Sequence, residues 1–176
     1  MFLKGGITFA QLNQIIGPCG DPNVVAVASP EAQAMYLSTM AFESVKLTYV
    51  RNQTPGRPGQ GTYSMMMPNN LFLFVKDNLN LFSGTHLSGL VTGTYSDADI
   101  HSKTTILDTL VQPQYAFMPG AWWITKGATL ANGCKINMNM SPTPVQAGEF
   151  MNSCIGVQPD EVRMAGYNNA LAVLKQ

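Results

Sequence analysis

Charge is what this sequence has least of. Lys and Arg number 10, Asp and Glu number 10, and together they make up 11% of the 176 residues, so the net charge is zero. An ordinary soluble protein has about 25% charged residues. Direct nucleic-acid binding, which needs clustered cations to contact phosphates, is excluded by this balance. The shortage predicts a largely neutral surface.

The sequence also lacks a long apolar run. Its densest stretch, residues 71–75, has the length of a strand, so no membrane span is predicted. Residues 1–6 are not followed by the apolar segment of a secretory signal peptide. This pattern predicts a protein that is made in the cytoplasm without a signal peptide. If the protein is viral, this is the cytoplasm of the host cell.

Cysteine is scarce as well. Cys19, Cys134 and Cys154 are an odd number at wide spacings, which matches neither a disulfide framework nor a metal-binding knuckle. Free cysteine is among the residues most often buried. We therefore predict three reduced, mostly buried thiols.

The hydropathy pattern is helical near the N-terminus and alternating afterwards. Thr8 and Ser29 begin capping patterns that predict two short helices. From residue 44 to residue 157, short alternating segments separated by Gly, Pro and Asn predict a series of strands. The pair Asn132 and Gly133 predicts a hairpin between residues 129–131 and 134–140. Residues 159–161 open a C-terminal helix.

These elements predict a mainly β fold. The predicted fold is an antiparallel β-sandwich or barrel with two short N-terminal helices and a C-terminal helix. A jelly-roll-like arrangement is one form that it could take. A single domain covers residues 1–176, with a helical segment at 1–42, a β-rich body at 43–157 and the last helix at 158–176. Residues 53–61, rich in Gly and Pro, predict an exposed loop that orders against a neighbouring subunit, with Arg57 in the contact.

Candidate residues for catalysis or metal binding are few. Asp97, Asp99 and His101 would share one face of an extended chain, as a metal site needs, but a polar turn is favoured because no second ligand cluster accompanies them. Catalysis by a nucleophile would have to use His86 or His101, and no nucleophile motif accompanies either. We predict no catalytic residues, no metal, no cofactor and no enzymatic activity, with a small hydrolase as the weakest alternative.

Apolar side chains on both faces of the predicted strands indicate contacts with other subunits. Three adjacent strand residues at 65–67 cannot all face one core, and two adjacent indoles point to opposite faces. The residues predicted to contact a partner are Arg57, Met65, Met67, Phe72, Phe74, Trp122 and Trp123.

Together these features predict a structural subunit of a viral particle, in our interpretation a phage. It would be a coat, decoration, spike or tail protein that ends in the virion and assembles as a homo-oligomer or with other structural subunits. Its neutral, apolar interfaces would withstand 1 M NaCl, because salt weakens only charge-driven contacts. The alternative is a carbohydrate-binding or adhesin β-sandwich module in which Trp122 or Trp123 stacks on a sugar.

Overall fold

The computed structural model describes residues 27–176, which are mainly helical and form no β-sheet. Pairing in this part of the chain consists of isolated bridges from Gly61 to Arg51 and to Met66. The mainly β prediction, sandwich or barrel, is therefore wrong. The α-helices are α1 Pro30–Glu43, α2 Pro68–Asp77, α3 His86–Leu90, α4 Ile100–Leu110, α5 Met118–Trp122, α6 Ala128–Asn132, α7 Pro144–Phe150 and α8 Glu161–Leu174. Two 3₁₀ segments, Leu79–Phe82 and Met138–Met140, and two π-helical segments, Trp123–Gly127 and Met151–Ile155, complete the description.

The two helix starts predicted within the described residues are confirmed. The Ser29 side chain caps α1 by accepting a hydrogen bond from the Ala32 amide at 3.0 Å. Asp160 caps α8 in the same way, accepting from the Arg163 amide at 2.8 Å. Such caps satisfy backbone donors that have no partner inside the helix. The helix predicted after Thr8 lies outside the described residues.

Helices replace the predicted strands of the β-rich body. The apolar stretch at 71–75 lies in α2, where Leu71, Phe74 and Val75 fall on one helical face and are buried. Pro68 occupies the first helical turn of α2, where its missing backbone N–H breaks no hydrogen bond. A short apolar run has no period that separates a buried strand from a buried helix, and the strands predicted in α4 and α5 fail for the same reason.

The predicted hairpin at Asn132 and Gly133 is a helix end. Gly133 has a φ of 71°, in the left-handed region, and its amide donates to the Thr129 carbonyl at 3.0 Å. This is the C-terminal cap of α6. A hairpin turn and a helix cap both need positive φ, so the dipeptide alone does not distinguish them.

Residues 45–47, at the start of the segment predicted to form strands, adopt a left-handed turn. Val45, Lys46 and Leu47 have φ values of 51°, 57° and 64°. The Ser44 hydroxyl fixes this turn by accepting a hydrogen bond from the Leu47 amide at 2.8 Å. Val45 and Leu47 are exposed in this turn.

The Gly- and Pro-rich loop closes on its own chain. The Asn52 amide donates to the Gln60 carbonyl at 3.1 Å, and the two side chains hydrogen-bond at 2.9 Å. Residues 53–58 are exposed as predicted, while Gly59 is buried against Lys103. These contacts remove the reason for expecting the loop to order only against a neighbouring subunit.

The helices enclose two apolar clusters that meet at one indole. The first is built on α1 and α8 and includes Tyr36 and Tyr167. The second is built on α2 and α4 and includes Phe74 and Trp122. Trp123 packs against both clusters. Within residues 27–176, no helix has both the length and the apolar character needed to cross a membrane.

An ion pair between the buried Glu31 and the half-exposed Lys175 joins α1 to the end of α8, and we expect it to make stability depend on pH. Glu31 is 5% exposed, and Lys175 Nζ lies 2.6 Å from its carboxylate. The hydrogen bond from Lys175 lowers the pKa of Glu31 below its ordinary value, against the opposing effect of burial. A carboxyl with a lowered folded-state pKa contributes stability above its unfolded pKa of about 4.3 and loses it as the pH falls further.

Thermal unfolding between neutral and acidic pH measures this contribution. Wild type should lose stability more steeply below about pH 4.5 than either Glu31→Gln or Lys175→Met. Glu31→Gln removes the titrating carboxyl, whereas Lys175→Met leaves it with a higher pKa, because burial then acts without the lysine; the loss of stability on acidification should be smaller than in wild type for both. Parallel curves for all three proteins would contradict the assignment.

Candidate functional site

A cavity of about 260 Å³ lies where the two apolar clusters meet. Trp123 and Ile124, from the first π-helical segment, form one part of its wall, and Ile155, from the second, forms another. Thr39 of α1 lines it as well. A π-helical turn is rare and frequently marks a functional site, and here two of them border one cavity.

A strained turn forms the side of the cavity that faces α2. Thr62 and Met65 have φ values of 61° and 44°, which side chains other than glycine rarely adopt. Gly61 and Met66 exchange backbone hydrogen bonds of 2.7 and 3.2 Å that close the turn. Each such residue costs about 1–3 kcal/mol and persists where surrounding contacts hold it. The turn places Ser64 and Met65 in the cavity wall.

Three neutral polar side chains at the cavity have no hydrogen-bond partner among residues 27–176. They are the hydroxyls of Thr39 and Ser64 and the side-chain amide of Asn70, and of these only the Ser64 hydroxyl is closed off from solvent. The Ser64 hydroxyl is buried against Gly120, where a Cβ would overlap it. By contrast, the Tyr36 hydroxyl donates to the Phe117 carbonyl at 2.8 Å, and burial raises the pKa of this tyrosine.

The charged groups at the cavity differ in their pairing. Glu43 accepts a 2.8 Å hydrogen bond from Arg163, whose guanidinium lies 3.8 Å from the centre of the Phe42 ring. Arg57 has no carboxylate partner in the described part of the chain, whereas Arg51 contacts Asp108 at 2.7 Å. Glu43 and Arg57 also line an adjoining open cavity of about 410 Å³. Both residues therefore lie between the two cavities.

A disulfide anchors the second π-helical segment, which contributes Ile155 to the cavity wall. Cys134 and Cys154 are bonded, with their Cα atoms 5.3 Å apart, so the prediction of reduced thiols is wrong for this pair. Cys19 lies outside the described residues. The Cys154 carbonyl accepts hydrogen bonds from Trp123 Nε1 at 3.1 Å and from the side-chain Nδ2 of Asn132 at 3.2 Å. The disulfide and the two hydrogen bonds together hold Trp123 beside the second π-helical segment.

The structure separates the seven predicted partner-contact residues into two groups. Arg57, Met65, Met67 and Trp123 line the cavity. Phe72, Phe74 and Trp122 are buried in the second apolar cluster, because the segments that carry them are helices and not two-faced strands. Contact with a partner chain stays a prediction for all seven.

The candidate metal ligands serve a helix start. Asp99 caps α4 by accepting from the Ser102 amide at 2.9 Å, and hydrogen bonds from Ser102 lower the pKa of its carboxyl. Asp97 accepts a 2.6 Å hydrogen bond from the Tyr95 hydroxyl. No group of three potential metal ligands occurs within residues 27–176. His86 and His101 are exposed and lie away from the cavity.

Comparison with known proteins finds no matching family model and no matching solved structure. One curated protein, the bifunctional dioxygenase (DOX)-epoxy alcohol synthase (EAS) of Fusarium oxysporum (strain Fo5176), is 35% identical over 133 residues. The match covers 74% of this chain and 10% of the fungal protein.

These findings correct the functional predictions. The relative is an enzyme and the described residues are helical without a sheet, so the viral structural subunit, the carbohydrate-binding β-sandwich and the absence of enzymatic function all lose their support. The amino-acid composition suggested a surface that packs against other subunits, but composition does not show to which proteins a chain is related. The chain is similar to about one tenth of a fungal enzyme whose name combines a dioxygenase with an epoxy alcohol synthase.

Proposed function

We propose that this chain holds a small, largely apolar organic molecule in the Trp123 cavity, as part of an enzyme. The cavity itself is the observation that supports this proposal most directly. Its wall includes the apolar side chains of Met66, Trp123 and Ile155, and its volume of about 260 Å³ lies just below the range of about 300–1,000 Å³ that is usual for small-molecule pockets. Strained backbone at Thr62 and Met65 is retained there, as at many binding sites.

The similarity to the fungal protein supports the enzymatic part of the proposal. The relative's name describes oxygenation and the formation of an epoxy alcohol, reactions of organic substrates. Because the chain spans about a tenth of that protein, we propose that it binds the substrate, and we assign a catalytic role to none of the described residues. The apolar wall, the indole of Trp123 above all, would position the substrate.

Ligand-detected NMR with ethylbenzene tests the proposal. Wild type should bind this hydrocarbon, because the cavity buries apolar surface at a gain of roughly 25 cal/mol per Å². Ile155→Phe should abolish binding, since the larger ring would occupy space at the cavity wall. Leu130→Phe is the matched control, because Leu130 is 56% exposed and does not line the cavity.

Equal binding by wild type and Ile155→Phe would place the ligand elsewhere. No binding by a folded wild-type protein would contradict the proposal outright. The folded state of each variant is checked by its thermal unfolding transition.

A further inference from the structure

The second π-helical segment, Met151–Ile155, continues directly into the wall of the cavity. Ile155, Gly156 and Val157 all line the cavity, and Gly156 ends the segment with a φ of 82°, in the left-handed region. The residue before these three is Cys154, which is 1% exposed and belongs to the disulfide. The disulfide therefore lies one residue along the chain from this part of the cavity wall.

Residues 151–157, the wall segment, are linked to the neighbouring helices through one residue. Apart from bonds within the segment and to the preceding α7, its polar and covalent links to the described chain all fall on Cys154. These links are the disulfide to Cys134 and the two hydrogen bonds that the Cys154 carbonyl accepts, one of them from Trp123. Cys134 is itself fixed to α6, because its amide donates to the Ala128 carbonyl at 3.2 Å.

We infer that this disulfide is a redox switch for the cavity. When bonded, it holds the wall segment and Trp123 in the binding position, and when reduced, it releases them, so that the ligand binds weakly. The reductant is a dithiol, which gives two electrons and two protons to the sulfur–sulfur bond and itself becomes a disulfide, while Cys134 and Cys154 become thiols. This inference rests on the proposed function, because it concerns the regulation of the same cavity.

The burial of both sulfurs couples the state of the bond to the ligand. Cys134 and Cys154 are 7% and 1% exposed, so a dithiol reaches them only when the wall segment opens. A ligand in the cavity contacts residues 155–157 and favours the closed segment. Because linked equilibria are reciprocal, a ligand that prefers the bonded form makes the bond harder to reduce by the same factor.

Binding of ethylbenzene before and after reduction with dithiothreitol tests the switch. The reduced protein should bind about tenfold more weakly, which corresponds to a wall segment that is in place about one tenth of the time without the bond. Saturating ethylbenzene should raise the ratio of reduced to oxidised dithiothreitol at half-reduction by the same factor. Alkylation and mass spectrometry count the thiols.

Three variants serve as controls. Cys134→Ser with Cys154→Ser should bind ethylbenzene as the reduced wild type does and should not respond to dithiothreitol. Cys19→Ser should behave as wild type in both states. Leu110→Ala destabilises the fold, because Leu110 is buried in α4, but Leu110 does not line the cavity, so the affinity should be unchanged. Equal weakening in Leu110→Ala would show a general effect of stability and overturn the inference.

The fluorescence of Trp123 reports on the wall segment without a ligand. In the variant Trp122→Phe, Trp123 is the only indole in the chain. Reduction should shift its emission to longer wavelength, since Trp123 then loses its fixed partner at Cys154 and meets more water. An unchanged spectrum after complete reduction overturns the inference, and so does unfolding of the whole protein at the assay temperature.

The binding outcomes separate the inference from the proposed function. Equal affinity of the bonded and the reduced protein for ethylbenzene overturns the inference and leaves the proposed function standing. Absence of binding by the bonded protein contradicts the proposed function and the inference with it.

Discussion

Replacing Trp122 with alanine should lower the free energy of unfolding by about 3–5 kcal/mol, the largest effect we expect from a single substitution. The indole is 6% exposed and lies in the second apolar cluster, with its ring centre 5.6 Å from that of Phe74 in an edge-on arrangement. Its Nε1 donates to Asp77 at 2.7 Å, and Asp77 also binds Lys126 at 2.8 Å. Truncation removes the packing and one charge-assisted hydrogen bond together.

Trp122→Phe separates these two contributions. The phenylalanine ring keeps most of the packing and loses the hydrogen bond to Asp77, so we expect a loss of about 1.5 kcal/mol plus a smaller packing loss. Urea unfolding measures both variants through the shift of the midpoint. Val162→Ala is the control, because Val162 is 67% exposed and a change there should stay within about 0.5 kcal/mol. A loss under about 1 kcal/mol for Trp122→Ala would contradict the burial described.

Loss of the disulfide between Cys134 and Cys154 should cost about 3 kcal/mol of stability. The bond closes a loop with a sequence separation of 20, and a crosslink of that span restricts the unfolded chain by about this amount in the chain-entropy model. The double variant Cys134→Ser with Cys154→Ser should therefore unfold at a lower urea concentration than wild type. The variant Cys19→Ser, outside this loop, serves as the control.

Counting thiols tests the bond independently of stability. The chain has three cysteines, so alkylation in denaturant without reductant should modify one of them, and all three after reduction. Mass spectrometry gives the count directly. Three modified cysteines without reductant would show that the pair is reduced. Because disulfides persist mainly in oxidising compartments, protein prepared under oxidising conditions is the appropriate sample.

The choice between helix and strand shows where sequence patterns stop being informative. Ser29 and Asp160 were identified as helix starts because a cap depends on residues within one turn of each other. Residues 71–75 were assigned to a strand because five adjacent apolar residues fit either period. Their burial in α2 depends on packing against α4, which is encoded about thirty residues further along the chain.

The candidate site was found only in part from the sequence. Met65, Met67 and Trp123 were identified as residues that one core could not accommodate, and they line the cavity. Thr39, Ser64 and Asn70 carry no motif, and their lack of partners is a property of the folded surroundings. Cys134 and Cys154 likewise have no diagnostic spacing, since a disulfide requires only that two Cα atoms come close.

By itself, the sequence determined the low charge, the absence of a long apolar run and the two capped helix starts, because each depends on composition or on neighbours along the chain. Tertiary structure decided that the middle of the chain is helical, that Gly133 ends a helix and that two cysteines are bonded. It also decided that Thr39 of α1, the strained turn and both π-helical segments line the same cavity. These features depend on contacts between distant segments, and local patterns cannot encode which segments will pack together.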